Sequence, residues 1–297
     1  NPSLVGSEMC IRDRSQEAKL TDSSGGTSDN FAFSVDISKD GDTVIAGAYA
    51  EDTTATNAGI AVIFTRSGTS WSQQARIQSS DIAGGDYFGY DVAINSDGNT
   101  AVIGAYNDAS NTGAAYIFTR SGTSWSQQAK LTASDGAQQD YFGEAVNISD
   151  DGNTAIIGAK KAANGGTQRG AAYIFIRSGT SWSQQAKLGA SNAGDYDLFG
   201  LGVALDPTGD TAIVGAQQED SGASEAGSAY IFTRDGTTWS EQKHLIPSDS
   251  ERGSNDKFGW SVDLGTDTAI ASTHRLTSVD TGAAYVFLSL IHISEPT

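Results

Sequence analysis

The stretch DYFGEAVNISDDGNTAIIGA at residues 140–159 is followed by GAAYIF at residues 170–175 and by SWSQQAKL at residues 181–188. Its four short runs are bounded by Gly, Asn, Asp and Ser, and they lack the 3.6-residue apolar period of a helix. Short runs bounded in this way are typical of β-strands. The Asp151-Gly152 pair suits the positive backbone dihedral angles of a tight hairpin between the first two runs. The stretch therefore predicts four consecutive antiparallel strands.

This four-strand pattern occurs five times, and each copy opens with a Phe. The spacings between these Phe residues are 57, 54, 57 and 59 positions, and the residues are Phe31, Phe88, Phe142, Phe199 and Phe258. The units are residues 31–77, 88–131, 142–188, 199–245 and 258–287, of which the last lacks a fourth strand. Residues 16–20, QEAKL, match an orphan fourth strand. Such repeats predict an all-β fold, a β-propeller of four-stranded antiparallel blades over residues 15–287.

The composition excludes several classes of function. Eighteen basic residues against 36 acidic ones give a net charge of −18, so we expect no nucleic-acid binding. No run reaches the roughly 18 apolar residues of a membrane span. A single Cys, Cys10, excludes an internal disulfide, and the sequence has no Cys pairs or His clusters that could serve as zinc ligands.

Both ends interrupt the repeat. Residues 1–14 and 288–297 contain LVGSEMCIRDR and LSLIHISEPT, which look like translations of one sequencing adapter read in opposite directions. We interpret both ends as non-native, so that the chain is a metagenomic fragment. The alternative is a signal-peptide remnant at one end and a final strand at the other.

The repeated residues also carry a family resemblance. Phe-Gly at the start of strand one, the Asp-Gly turn, I-x-G-A at the end of strand two and GAAYIF in strand three resemble the FG-GAP repeats of integrin α-subunit propellers. RSGTSWSQQAKL is similar to the bacterial branch found in large secreted or surface proteins. The resemblance implies an extracellular or cell-surface module, and a native propeller of seven blades of which this chain is a part. Departures occur at Ala32, where Gly is expected, and at Ser272-Thr273 in place of Gly-Ala.

Three rows of repeated residues predict packing and turns. The Phe row and its glycines predict close contact between blades. The Trp row predicts packing, with a carbohydrate-stacking platform as the alternative; it comprises Trp71, Trp125, Trp182 and Trp239. An Asp stands two positions before each Phe, where its carboxylate can accept backbone N–H bonds and fix the turn into strand one. This row comprises Asp29, Asp86, Asp140, Asp197 and Asp256.

The turn between strands one and two could be a weak calcium site, as the alternative to a plain Asp-Gly hairpin. Asp36, Ser38, Asp40 and Asp42 have the alternate spacing of oxygen ligands that a hard cation needs, but Val44 stands where a terminal carboxylate is expected. The other turns offer fewer carboxylates. We expect a plain Asp-Gly hairpin without a cofactor, and any calcium at the first turn only.

Enzyme chemistry finds little support in the sequence. His244 and His274 have no neighbouring Ser or Cys motif, and the adjacent acids Glu51-Asp52 and Glu219-Asp220 are interpreted as solvated loop charge. Acids and histidines that differ between copies and converge at the central channel would instead favour a propeller-borne polysaccharide-acting enzyme. Uniform polar loops would favour a structural spacer in a larger surface protein.

The loops between strands two and three differ in every copy while their flanking strands match. Diverse loops on a rigid scaffold are where binding residues concentrate. These loops are residues 49–58, 106–112, 160–169, 217–226 and 274–281. We therefore expect a non-catalytic module for adhesion whose protein or carbohydrate ligand binds at these loops. Pairing of residues 16–20 with the last third strand, residues 282–287, would close a five-bladed ring; without it the chain would remain an open arc.

Overall fold

The computed structural model describes residues 15–220, 222–248, 253–276 and 281–289. In this part of the chain the strands are β1 (Phe31–Ile37), β2 (Thr43–Ala48), β3 (Ile60–Ser67), β4 (Ser70–Ile77), β5 (Val92–Ile94), β6 (Thr100–Ala105), β7 (Ala114–Ser121), β8 (Ser124–Leu131), β9 (Phe142–Ile148), β10 (Thr154–Ala159), β11 (Ala171–Ser178), β12 (Ser181–Leu188), β13 (Phe199–Leu205), β14 (Thr211–Ala216), β15 (Ser228–Asp235), β16 (Thr238–Leu245), β17 (Val262–Leu264), β18 (Thr268–Leu276) and β19 (Thr281–Leu288). A single short turn, α1 (Asp108–Asn111), has positive φ at Ala109 and Ser110.

The strands form five antiparallel sheets, and each sheet takes its strands in sequence order. The first four sheets have four strands, β1–β4, β5–β8, β9–β12 and β13–β16, and the fifth has three described strands, β17–β19. We call them blades one to five. The predicted β-propeller of four-stranded antiparallel blades is confirmed, and the five blades coincide with the five sequence units.

The connection between strands one and two is the predicted hairpin, with one difference in its backbone. In blade one the N–H of Gly41 donates to the carbonyl of Ser38 at 2.8 Å, and Gly41 has φ +74°. Asp40 has no positive φ, so only the glycine adopts the left-handed conformation. The loop is therefore a four-residue turn that ends in a left-handed Gly, rather than a two-residue turn with two positive φ angles.

The hydrophobic core consists of layers between successive blades. Ile45 and Ile63 of blade one, for example, pack with Phe88 and Ile103 of blade two. Comparable layers join blades two and three, three and four, and four and five. The Phe row lies in these layers, where Phe88, Phe142, Phe199 and Phe258 are fully buried. Each blade thus buries its apolar faces against its neighbours, as the sequence predicts.

Backbone atoms also meet between blades. Gly59, Gly113, Gly170 and Gly227 form isolated parallel bridges to the repeated Phe of the next blade. A Cβ on Gly104 would lie 1.9 Å from the carbonyl oxygen of Gly143, so no larger residue fits without moving the blades. The glycines at the end of strand two and after each Phe therefore set the distance between blades.

The Trp row also joins neighbouring blades. The indole Nε1 of Trp125 donates to Oε1 of Gln74 in the previous blade at 2.9 Å, and Trp182 and Trp239 repeat this bond at 2.8 and 2.9 Å. The Cζ atom of Arg120 lies 5.7 Å from the Trp125 ring centroid. Because each indole is partly buried with a fixed hydrogen bond, this geometry fits the packing interpretation better than a stacking platform.

The two ends of the blade series are not joined to each other. Residues 16–20 form no strand, and β19 pairs with β18 and with no other described strand. Val35 and Ile37 of blade one are 60% and 52% exposed, and Val286 and Leu288 of blade five are 63% and 71% exposed. The sequence allows either a ring closed by pairing of residues 16–20 with β19 or an open arc. In the described residues this pairing is not formed, so blades five and one are not joined by a shared sheet.

Residues 16–20 nevertheless lie where the fourth strand of a preceding blade would lie. Glu17 Oε2 accepts a hydrogen bond from Trp71 Nε1 at 3.2 Å, as Gln74 does from Trp125. Leu20 packs on the free face of blade one. The ends predicted to be non-native, residues 1–14 and all but the first two of residues 288–297, lie outside the described residues, and the expectation of a seven-bladed native protein stays a prediction.

The two departures from the repeated glycines stand at the two ends of this arc. Ala32 takes the place of Gly89, whose Cβ would lie 2.2 Å from the carbonyl oxygen of Ile60 in the previous blade. Ser272 takes the place of Gly104 in blade five. Because no described blade precedes blade one or follows blade five, neither side chain is in the way of another blade's backbone.

Candidate functional site

The first strands of the five blades surround a central cavity of about 530 Å³. Residues from all five blades line it, and they lie near the beginning of strand one, the end of each blade at which strand two finishes. The loops between strands two and three emerge at this same end, opposite the Asp-Gly turns. We call this end of the cavity the channel mouth.

The second residue after each repeated Phe lines the cavity, and it differs in every blade. These residues are Phe33, Tyr90, Glu144, Leu201 and Trp260. The following position also lines the cavity, and its residues are Ser34, Asp91, Ala145, Gly202 and Ser261. Since the neighbouring Phe and Gly positions repeat almost without change, the propeller holds a variable ring of side chains on a constant frame.

Glu144 has an incompletely satisfied carboxylate in this ring. Its Oε1 forms an ion pair with Lys160, which follows strand β10. The Glu144 side chain is 9% exposed, and its Oε2 is buried without a hydrogen-bond partner among the described residues. Burial raises the pKa of Glu144, and the nearby charge of Lys160 opposes that rise. The channel mouth therefore contains an unused hydrogen-bond acceptor.

Asp91 is a second carboxylate in the cavity, and both of its oxygens accept hydrogen bonds from the protein. Its Oδ1 accepts from Ser34 Oγ at 2.7 Å and from the Val92 N–H at 3.0 Å, and its Oδ2 accepts from the Val146 N–H at 2.8 Å. Burial raises its pKa to about 6. These bonds reach blades one and three, so Asp91 ties three blades together at the channel.

Aromatic side chains of blades one to three form a continuous array at the channel mouth. Ring centroids of Phe33 lie 4.8 Å from Tyr49 and 5.0 Å from Tyr90, and those of Tyr90 and Tyr106 lie 4.5 Å apart. Tyr87 and Tyr141 extend the array. In blade five, Trp260 and His274 form a separate pair with ring centroids 4.6 Å apart.

The four candidate calcium ligands are all bonded to groups of the protein. Asp36 accepts from the N–H of Ile94 at 2.7 Å, so its carboxylate links blades one and two. Asp40 accepts from Ser38 Oγ at 2.5 Å, and Asp42 pairs with Arg66 at 2.6 Å. In the described part of the chain, no group of three or more His, Cys, Asp or Glu residues could hold a metal ion. Calcium at this turn stays a prediction, with Ser38, Asp40 and Asp42 nearest to one another.

The Asp row lies at the turns into strand one, as the sequence predicts. All five carboxylates are buried, and each accepts a backbone N–H from three positions earlier. In blade two the donor is Ala83 and the distance to Asp86 Oδ2 is 2.6 Å. The geometry agrees with a structural role for this row.

The interpretation of the loop acids as solvated charge is wrong for two of them. Glu51 is buried and pairs with Arg76 at 2.7 Å. Glu219 is also buried, and its Oε2 accepts from Ser228 Oγ at 2.6 Å. Both carboxylates hold their loops onto strands, because the loop folds back over the blade. His244 lies beside Ser228 at 2.7 Å, but Ser228 is fully buried, so this pair has no access to a substrate.

The variable ring at the channel was missed by the reasoning from sequence, which searched the loops for diversity. The signal was present at the second position after each Phe, where the five copies carry five different residues. Alternation along a strand placed this position on one face, but the sequence did not show that this face lines a cavity. His274, which lies in a loop in the sequence interpretation, belongs to strand β18.

Comparison with known families agrees with this architecture. A family model described as FG-GAP repeat matches residues 15–64, 71–118, 125–175, 182–232 and 239–287, which is most of the chain. Each match runs from a fourth strand, or its counterpart in residues 16–20, to the third strand of the next blade. No curated protein matches the chain. In the described residues, no helix has the length and apolar character required to cross a bilayer.

Proposed function

The chain belongs to the FG-GAP repeat family, and from that premise we propose that it is a non-catalytic binding module that acts outside the cell or at its surface, in adhesion or ligand capture. Propellers of this family serve as binding or structural modules. The channel mouth is the binding face.

The observation that carries this proposal is the variable ring of Phe33, Tyr90, Glu144, Leu201 and Trp260. Binding pockets combine apolar and aromatic walls with a few polar groups, and this ring has both. Phe33 and Trp260 are 55% and 42% exposed, so part of the aromatic surface faces solvent. A spacer has no need for an exposed aromatic cavity, whereas a ligand-binding module does.

Binding assays test the proposal with one variant at the channel mouth and one on the opposite face, at the Asp-Gly turns. Biolayer interferometry would measure binding of the protein to a panel of extracellular matrix proteins and bacterial surface polysaccharides. We expect at least one to bind, and Trp260→Ala to weaken it by about tenfold or more, as for a central aromatic contact. Lys39→Ala is the control, because Lys39 is exposed at the opposite turn. The proposal fails if nothing binds, or if both variants weaken binding equally.

A second candidate is a polysaccharide-acting enzyme, and one observation favours it. Two carboxylates with raised pKa values, Asp91 and Glu144, line the same cavity, and such pairs are frequent in glycoside-cleaving sites. Against it, Asp91 accepts three hydrogen bonds from the protein and Glu144 is paired with Lys160. Asp91 thus has no oxygen free to exchange a proton with a substrate, and the charge of Lys160 opposes the protonation that a general acid at Glu144 would need.

A reducing-end assay separates the two candidates. We expect no release of reducing sugars from any polysaccharide that binds. Turnover that is abolished in both Asp91→Asn and Glu144→Gln would establish the enzyme and refute the non-catalytic module.

A further inference from the structure

We propose that the channel mouth binds a neutral saccharide, with the sugar ring against the aromatic side chains and a sugar hydroxyl donating to Glu144. The inference rests on the proposed binding function and adds the chemical class of the ligand. It is carried by the unpartnered Glu144 oxygen together with the aromatic array and its hydroxyl groups.

The walls of the cavity are largely aromatic. Phe33, Tyr90 and Trp260, from blades one, two and five, all line it. Aromatic rings bury large areas of apolar surface, and Tyr and Trp add a polar group at the edge. A pyranose ring has an apolar C–H face and a polar rim, so it matches walls of this kind. The volume of about 530 Å³ lies within the ordinary range for small ligands.

Glu144 supplies a buried hydrogen-bond acceptor in this cavity. Its Oε2 is buried without a partner among the described residues, which costs free energy unless a ligand or a water supplies a donor. Because Lys160 pairs with Oε1, the two side chains together are close to neutral. A hydroxyl group can donate to Oε2 without adding a net charge.

Tyrosine hydroxyls around the opening supply further hydrogen-bonding groups. Tyr49, Tyr90 and Tyr106 make ring contacts with each other or with Phe33, and no hydrogen bond to their hydroxyls occurs within the described residues. By contrast, Tyr116 and Tyr173, which lie between blades, bond to Asp108 and Asp135. Burial raises the pKa of Tyr90 to about 12, so its hydroxyl is a donor at neutral pH. The mouth therefore offers several groups that can both donate and accept.

The charges at the mouth favour a neutral ligand over a cation. Lys160 lies beside Glu144, and Lys161 Nζ lies 4.4 Å from the Tyr141 ring centroid, where it occupies the aromatic face that a cation would use. Cation binding by aromatic rings requires an open face. Lys161 would also repel a cationic ligand, because its charge is not neutralised by an ion pair within the described part of the chain, as that of Lys160 is.

Isothermal titration with four neutral oligosaccharides tests the inference. The probes are cellohexaose, xylohexaose, mannohexaose and chitohexaose, and tetramethylammonium and poly-lysine are the cationic comparison. We expect at least one sugar to bind with a Kd between about 1 μM and about 1 mM. Trp260→Ala and Phe33→Ala should each weaken binding by about tenfold or more, and Glu144→Ala should do so while Glu144→Gln retains most of the affinity.

Tyr196→Ala is the matched control, because Tyr196 is 55% exposed and makes no contact with the aromatic array. Thermal melting of each variant establishes that it is folded. The inference is overturned if no sugar binds, if the cationic probes bind instead, or if the channel variants bind sugar as well as Tyr196→Ala does.

Treatment of whichever matrix protein or polysaccharide binds separates this inference from the proposed function. Periodate cleaves the vicinal diols of 1,4-linked glucose, mannose and xylose and should abolish binding to them, chitinase should do so for N-acetylglucosamine polymers, and protease should leave binding unchanged. Binding that survives periodate and chitinase but not protease would refute the saccharide and leave the proposed binding function intact. An absence of any binding by the wild-type protein would refute both.

Discussion

A Cβ atom added to Gly47 would lie 1.9 Å from the carbonyl oxygen of Gly89 in the next blade. The same contact recurs between Gly104 and Gly143, between Gly158 and Gly200, and between Gly215 and Gly259, at 1.9 to 2.0 Å. At these four junctions the backbones of neighbouring blades thus touch without an intervening side chain.

Gly104→Ala should lower the free energy of unfolding by about 3 kcal/mol, because the added methyl group must separate blades two and three. Chemical denaturation followed by fluorescence would measure the loss. Ser272→Ala is the control at the equivalent position of blade five. It should change stability by less than about 1 kcal/mol, the value of one exposed hydrogen bond. Equal stability of the two variants would show that the close approach does not limit the junction.

Asp86→Ala should cost about 1.5 to 3 kcal/mol, the range for a hydrogen bond to a charged acceptor. The substitution leaves the Ala83 N–H without its bond to the buried carboxylate. Thermal unfolding would measure the effect. Asp235→Ser is the matched control, since Asp235 is exposed and the equivalent positions carry Ser67, Ser121 and Ser178. An unchanged melting temperature for Asp86→Ala would refute the structural role of the Asp row.

Stability should increase as the pH falls from 8 to 5. Burial raises the folded-state pKa of Asp91 to about 6, above its ordinary value of 3.8. Its ionisation therefore opposes folding above that pKa, and the penalty is removed as pH falls through the folded pKa toward the unfolded one. A shift of this size corresponds to at most about 3 kcal/mol, and to less where channel water reaches the carboxylate.

Asp91→Asn should flatten this dependence of melting temperature on pH, while Asp97→Asn, at an exposed turn, should retain it. Asp197, whose pKa is also raised to about 6, accounts for a residual slope in Asp91→Asn. If the profile of Asp91→Asn were parallel to that of the wild type, burial of Asp91 would not be the cause.

Calcium should have little effect on the melting temperature. The carboxylates of Asp36, Asp40 and Asp42 bind different protein groups, so a cation would have to compete with them. Even a Kd of about 0.1 to 1 mM would add only about 0.4 to 1.4 kcal/mol at about 1 mM calcium. Melting in chelator and in calcium measures the difference. A large shift that Asp40→Ala abolishes would instead place a calcium site at this turn.

The fold could be predicted because the residues that determine it recur. Five Phe residues, four of them followed by Gly, five pairs of apolar strands and the hairpin turns repeat the same local pattern. A misreading of one copy is therefore corrected by comparison with the others. Whether the ring closes could not be predicted. Pairing of residues 16–20 with β19 depends on the sum of the angles between successive blades, and no single repeat determines that sum.

The channel site was harder to predict for a related reason. Glu144 and Trp260 are 116 positions apart in the sequence, and only the closure of successive blades around an axis brings them to one cavity. The burial of Glu51 was likewise hidden, since an acid in a polar loop gives no sign that the loop folds back onto Arg76.

The order of strands within each blade has a consequence for how the protein forms. Every pair of neighbouring strands in a sheet is also adjacent in the chain, so loops that close are short and the entropy lost at each step is small. A blade can therefore assemble as soon as its own segment has left the ribosome, and its exposed face becomes the template for the next. Synthesis and folding would proceed in the same direction, one blade at a time: the first blade must wait for a partner, whereas each later blade packs on one that is already formed.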